Sequence, residues 1–154
     1  MKVKIYSPKR SGSNLLQYLL EQTGKVDVLV NEGGWKHGPP ALVGDRQLII
    51  LKTYDDWKRS DERYRHPGNE PRQGPETYFE RVAEYLRFAQ QNATAMIVYY
   101  DQLISDPYEW FQICEHLAIE AEMPEIPTKA MNRNGKPTNI PYGQDVPWIH
   151  RGKI

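Results

Sequence analysis

The sequence predicts an α/β fold: a mostly parallel central sheet with helices on both faces, making three layers. Two observations carry that expectation. Short apolar runs suited to strands alternate with longer segments whose apolar residues recur at helical spacing. Between them lie stretches rich in glycine and proline, which mark loops. A length of 154 residues suits one compact domain, read here as residues 1–154, with 123–154 an extended tail packing over it.

Taken in order, Val3 and Ile5 alternate with polar neighbours in a short first strand. Leu15, Leu16, Leu19 and Leu20 then repeat as one face of a helix that stops at Thr23-Gly24. Val26–Val30 suits a second strand, and 31–44, with its glycines and adjacent prolines, reads as loop. Leu48-Ile49-Ile50-Leu51 is a run for a strand buried on both faces. A helix follows over Tyr54–Tyr64, broken by the prolines and glycines of 66–75. Pro75-Glu76 opens a longer helix with Tyr78, Phe79, Val82, Leu86 and Ala89 as its apolar face. Ala95–Tyr100 is the next strand. Asp106-Pro107 then pairs a capping residue with proline at the first helical position. Trp57, Trp110 and Cys114 read as scaffold. After Met123 the periodicity stops and prolines recur, hence the extended tail.

Twenty basic and twenty acidic side chains cancel. No bulk field therefore exists to hold a nucleic-acid backbone, and any anion site must be local. Cys114 is the single cysteine, which excludes an intrachain disulfide and a cysteine cluster for zinc. A free thiol without a leader-like or long apolar run fits a reducing cytoplasm and no integral membrane association. Nothing in the sequence specifies an oligomer.

Between the first strand and the leucine helix lies Ser7-Pro8-Lys9-Arg10-Ser11-Gly12-Ser13-Asn14. A helix N-terminus carries unpaired N–H groups and partial positive charge, so an anion there meets ready donors. Gly12 allows close backbone approach, Ser11, Ser13 and Asn14 add side-chain hydrogen bonds, and Lys9 and Arg10 supply charge. The same letters also suit an ordinary strand-to-helix turn capped by serine. The common nucleotide loop Gly-x-x-x-x-Gly-Lys-Ser/Thr is absent, since Gly24-Lys25 precedes Val26 and Gly135-Lys136 precedes Pro137. No acidic magnesium site stands out either, so a nucleotide kinase of related topology is the weakest of the enzyme readings.

Pro8-Lys9-Arg10-Ser11-Gly12-Ser13-Asn14 resembles the 5′-phosphosulfate loop of the sulfotransferases that use 3′-phosphoadenylyl sulfate (PAPS), with Arg10 at the family's basic position. A second stretch is similar to the family's 3′-phosphate motif, a strand ending in a basic residue with aspartate four and serine eight positions on. Lys52, Asp56 and Ser60 occupy those places, lysine replacing the usual arginine and losing its bidentate fork. Ile97–Leu103 with Asp106-Pro107 resembles a structural unit of the family. Asn132-Arg133-Asn134-Gly135 resembles its late segment, in which Arg133 and Gly135 reach the 3′-phosphate.

The resemblance implies a P-loop-NTPase-like sulfotransferase fold and transfer of a sulfuryl group to a hydroxyl or amine of a small molecule or glycan. The product would be 3′-phosphoadenosine 5′-phosphate (PAP), with no metal required. It casts Pro8–Asn14, Lys52, Ser60, Arg133 and Gly135 as cofactor-binding. Arg10, with Lys9 beside it, becomes the cation at the leaving oxygen, and His37 of Trp35-Lys36-His37 the base. His37 also suits an exposed loop histidine, and His66, His116 and His150 are read as incidental. A protein that binds the cofactor without transferring sulfate is the alternative, because the chain is short for the family.

Overall fold

The structure, a computed structural model, describes residues 1–63, 75–132 and 136–141. Its centre is a four-stranded sheet of β1 (Lys2–Tyr6), β2 (Asp27–Leu29), β3 (Arg46–Leu51) and β4 (Ala95–Tyr99), in the order β2-β1-β3-β4. Every neighbouring pair is parallel, with Ile5 opposite Leu48 and Ile49 opposite Ile97 marking the register. Parallel neighbours require crossover connections. Here they contain α1 (Ser13–Gln22) between β1 and β2, and α2 (Tyr54–Arg63) and α3 (Pro75–Gln91) between β3 and β4. After β4 come α4 (Tyr100–Ser105) and α5 (Pro107–Leu117).

The two-residue period of a strand sends alternate side chains to opposite faces. Val3, Ile5, Leu48, Ile50 and Val98 pack on one face with Leu15, Leu16, Leu19 and Leu20 of α1 and with Trp110, Ile113 and Leu117 of α5. Tyr6, Ile49 and Leu51 pack on the other face with Tyr85, Val82, Phe88 and Ala89 of α3. Helices therefore cover both faces, and β1 and β3 are buried on both sides. Of the polar neighbours of Val3 and Ile5, Lys4 is itself fully buried.

The buried face of α3 differs from the sequence reading. Tyr78 and Tyr85 are buried, whereas Phe79 and Leu86 are 53% and 43% exposed. The stripe Tyr78-Val82-Tyr85-Ala89 is an equally good helical repeat, displaced by one position toward the sheet. A tyrosine can sit at its centre because the hydroxyl finds backbone acceptors: Gly38 O at 2.9 Å and Ser7 O at 3.2 Å.

Caps fall where the sequence places them. Asp106 accepts from Tyr108 N at 2.9 Å with Pro107 at the first position of α5. Thr23 and a left-handed Gly24 close α1. Trp57, Trp110 and Cys114 are buried scaffold. Beyond α5, Ile119, Ala121, Met123 and Ile126 pack against the α1–α5 side of the core.

Of the expected extended tail, 142–154 lies outside the described residues, and the described part holds two short strands. β5 (Lys129–Met131) pairs antiparallel with β6 (Pro137–Pro141) in a separate hairpin, and β5 packs against α1. Proline at both ends of β6 hides the strand from pattern reading, yet a two-stranded ribbon accommodates it. Among the described residues no helix is long and apolar enough to cross a membrane.

Urea denaturation checks the placement of α3. Tyr85→Ala should cost about 3–5 kcal/mol, as large aromatic truncations in a core do. Leu86→Ala should stay within about 0.5 kcal/mol.

Candidate functional site: a cationic pocket at the carboxyl ends of the strands

The chain leaves β1 toward β2 on one side and later returns to β3 on the other. That reversal makes the carboxyl ends of β1 and β3 a topological switch point, where open parallel sheets hold ligands in a crevice. A pocket of about 360 Å³ lies there, within the usual range for small-ligand sites. Its lining comes from the β1–α1 loop (Lys9 to Leu15), from Lys36 and His37, from Lys52 and Ser60, from Tyr100, and from Ala130 and Met131 of the hairpin.

The β1–α1 loop has an unusual backbone. Arg10 has φ 60° and Gly12 φ 94°, so left-handed residues flank Ser11, a geometry that turns neighbouring N–H groups into anion-binding concavities. For Arg10, lacking glycine's freedom, that conformation costs on the order of 1–3 kcal/mol. Gly12 is the N-cap of α1 and no side chain caps the helix. The expected alternative, a serine-capped turn, is therefore not what forms. Leu16 N finds its acceptor at Gly12 O, 3.0 Å away, and the N–H groups before it have none within the helix. Ser11 and Ser13 are nearly buried, and Ser11 Oγ donates to Lys9 O at 3.4 Å.

Gly12 is also required sterically. A Cβ there would lie 2.4 Å from Cδ2 of the Tyr100 ring. The same ring receives the Lys52 ammonium, 4.4 Å from its centroid, a cation–π geometry. Lys52 follows β3 directly and is 7% exposed. Burial pushes its pKa down to about 8 against the pull of Asp56 and Asp101, with the Arg10 charge adding to the depression. Ser60, on α2, lines the same cavity. Thr53 Oγ1 accepts from Asp56 N at the start of that helix, and Asp56 pairs with Arg59.

His37 enters from the loop before β3. Its Nδ1 lies 2.9 Å from Ser7 O; donation there leaves Nε2 with the free lone pair. Burial is the main force on its pKa, which falls to about 4. The Ser7 hydrogen bond opposes that fall, while Lys36, Lys9 and Arg10 add to it. The Arg10 charge adds to the depression at both His37 and Lys52. Lys9 Nζ rests 5.1 Å from the centre of the Trp35 ring, and Trp35 is edge-on to His37. Lys36 donates to Asn14 Oδ1 across the mouth of the helix.

Of the residues expected at the site, Lys9, Arg10, Ser11, Gly12, Ser13, Asn14, His37, Lys52 and Ser60 converge on this pocket. Pro8 does not line it and is buried where the chain leaves β1. Arg133 and Gly135 lie outside the described residues, as do His66 and His150. His116 sits at the far end of α5, its Nε2 2.9 Å from Thr94 O. Lys36, Tyr100, Ala130 and Met131 were missed. Lys36 carried a signal, a third cation beside a candidate base. Tyr100 and the hairpin carried none, because their approach depends on packing. Among the described residues no group of three or more His, Cys, Asp or Glu side chains is arranged to hold a metal.

No family model, curated protein or solved structure matches the chain. Fold and site together define an α/β protein with a cationic pocket, opened by a helix N-terminus, at the switch point of a parallel sheet.

Gly12→Ala combines an unfavourable φ with a ring collision, and should lower stability by about 1–3 kcal/mol in denaturant titration. His37 generates a pH dependence. Its pKa is about 4 folded against 6.5 for the ordinary imidazole, so between those values the unfolded chain binds more protons. The associated stability is complete above 6.5 and lost as pH falls to about 4. His37→Asn should flatten that part of the stability–pH curve.

Proposed function

We propose that this chain is a PAPS-dependent sulfotransferase, with a P-loop-NTPase-like fold, acting in the cytoplasm on a hydroxyl or amine of a small molecule or glycan. One observation carries the reading. Lys52 and Ser60, matched to the family's 3′-phosphate motif, share a single pocket with the Lys9–Asn14 loop, matched to its 5′-phosphosulfate motif. Two separate stretches of sequence thus supply two anion-holding poles to one cavity.

The residues present fit such a ligand. The uncapped start of α1, with Arg10 and Lys9, offers donors and charge to the 5′ end. Lys52 and Ser60 offer a second clamp for the 3′-phosphate. When bound, PAPS supplies an activated sulfuryl group whose transfer leaves a phosphate anion and releases a proton from the acceptor. Arg10 then stabilises negative charge on the leaving oxygen. His37 Nε2 takes the acceptor proton, its orientation held by the Nδ1 bond to Ser7. Anionic ligand beside Lys9, Arg10 and Lys36 offsets the repulsion that depresses the imidazole, making it a better base in the complex than in the free protein. A second reading, cofactor binding without transfer, is favoured by the pKa of about 4 in the free protein, a weak base at neutral pH.

PAP should raise the melting temperature, with stabilisation of about 2.7 kcal/mol at a hundredfold excess over Kd. Arg10→Ala and Ser60→Ala should both weaken that shift strongly; full binding by both variants overturns the site. Binding should tighten as pH falls through about 8, where Lys52 gains its charge. His37→Gln should keep PAP binding and lose about 10²–10⁴ in transfer rate. PAP binding without sulfate transfer to any of a broad acceptor panel selects the second reading.

A further inference from the structure

We propose that Lys4 is a positioning residue whose buried ammonium pins the 30–34 loop and thereby sets Lys36 and His37 at the pocket. Lys4 lies on β1, at the middle of the sheet, and is fully buried. Its Nζ donates to three backbone carbonyls: Glu32 O at 2.7 Å, Gly34 O at 2.8 Å and Val30 O at 3.3 Å. An ammonium has three protons and no acceptor capacity, so this loop accounts for all of them. Burial lowers its pKa, and the Glu32 charge opposes that shift.

A buried charge is an expensive way to fill a core position, and an apolar side chain of similar volume often serves stability as well. What lysine adds is direction. Three carbonyls must turn inward together, and left-handed Gly33 and Gly34, with φ 74° and 91°, permit it. The next residues are Trp35, Lys36 and His37. A second set of bonds holds the chain at Lys36 and just past His37: Ser7 N donates to Lys36 O at 2.9 Å, and the Tyr85 hydroxyl lies 2.9 Å from Gly38 O. Lys36 and His37, the two of these that line the pocket, therefore follow one anchor, at Lys4, and are held by a second, at Ser7 and Tyr85.

The charged groups that act on His37 are Lys36, Lys9 and Arg10. Lys4 is not one of them, so its influence on His37 runs through the loop. The inference rests on the sulfotransferase reading for its functional meaning, whereas its test needs no ligand; failure of PAP binding and failure of the anchor are separate results.

The test is an NMR titration of the His37 imidazole in the wild type, Lys4→Met and Leu19→Ala. Loosening the loop should lift His37 from about 4 by about one unit or more toward its ordinary value. Leu19→Ala, a core truncation away from the loop, should leave it unchanged. A Lys4→Met protein that is less stable but titrates like the wild type overturns the proposal. If Lys4→Met does not fold, the wild type still decides. Its Lys4 ammonium protons should exchange with solvent far more slowly than those of exposed Lys58, and equal rates overturn the anchor.

Discussion

The ring of Tyr100 lies against two things at once: the Cα of Gly12, where a Cβ would be 2.4 Å away, and the ammonium of Lys52, 4.4 Å from its centroid. The rest of the site depends on that double contact. The ring fits only because Gly12 has no Cβ, and the same residue's left-handed φ leads β1 into α1, whose first N–H groups have no side-chain cap. Contact with Lys52 holds a cation that burial disfavours at the end of the neighbouring strand. One aromatic residue at the start of α4 thus joins the two halves of the pocket, and it can do so because β3 and β4 are adjacent and parallel.

The pocket is electrostatically strained in a directed way. The chain carries no net charge, yet Lys9, Arg10, Lys36 and Lys52 line one cavity. Burial is the main cause of the depressed pKa values of Lys52 and His37, and the Arg10 charge adds to both. Asp56 and Asp101 offset part of this at Lys52. The concentration of cations is therefore a matter of local arrangement and not of the overall charge balance.

The loop carrying His37 is ordered by polar contacts from the sheet below and the helix beside it. Lys4, Ser7 and Tyr85 all bind its backbone. Such buried polar contacts are costly unless satisfied, and each here has a partner. On the opposite wall, Ala130 and Met131 arrive on the hairpin that packs against α1. The pocket is thus closed by a segment distant in sequence from the loop it faces.

Much of this was legible beforehand. Apolar runs at strand and helix periods located the parallel α/β core, and Asp106-Pro107 and Thr23-Gly24 located helix ends, because these are local choices of the backbone. The Ser7–Asn14 loop and, through the resemblance, Lys52 and Ser60 marked residues that line one pocket. The face of α3 was misread because Phe79 and Leu86 are as apolar as the residues beside them, and the sheet, not the helix, selects the stripe. The alternation of Val3 and Ile5 with polar neighbours located β1 but left Lys4 unplaced, because alternation reports the period of a strand and is silent on what lies beyond it. The sequence by itself determined the alternation of strands and helices in the core and the basic, serine- and glycine-containing character of the β1–α1 loop. Tertiary structure alone decided that Lys4 turns inward, that Tyr100 bridges Gly12 and Lys52, and that a hairpin faces the helix opening. Those contacts span long stretches of chain, and their energy comes from packing and satisfied burial, which no local pattern encodes.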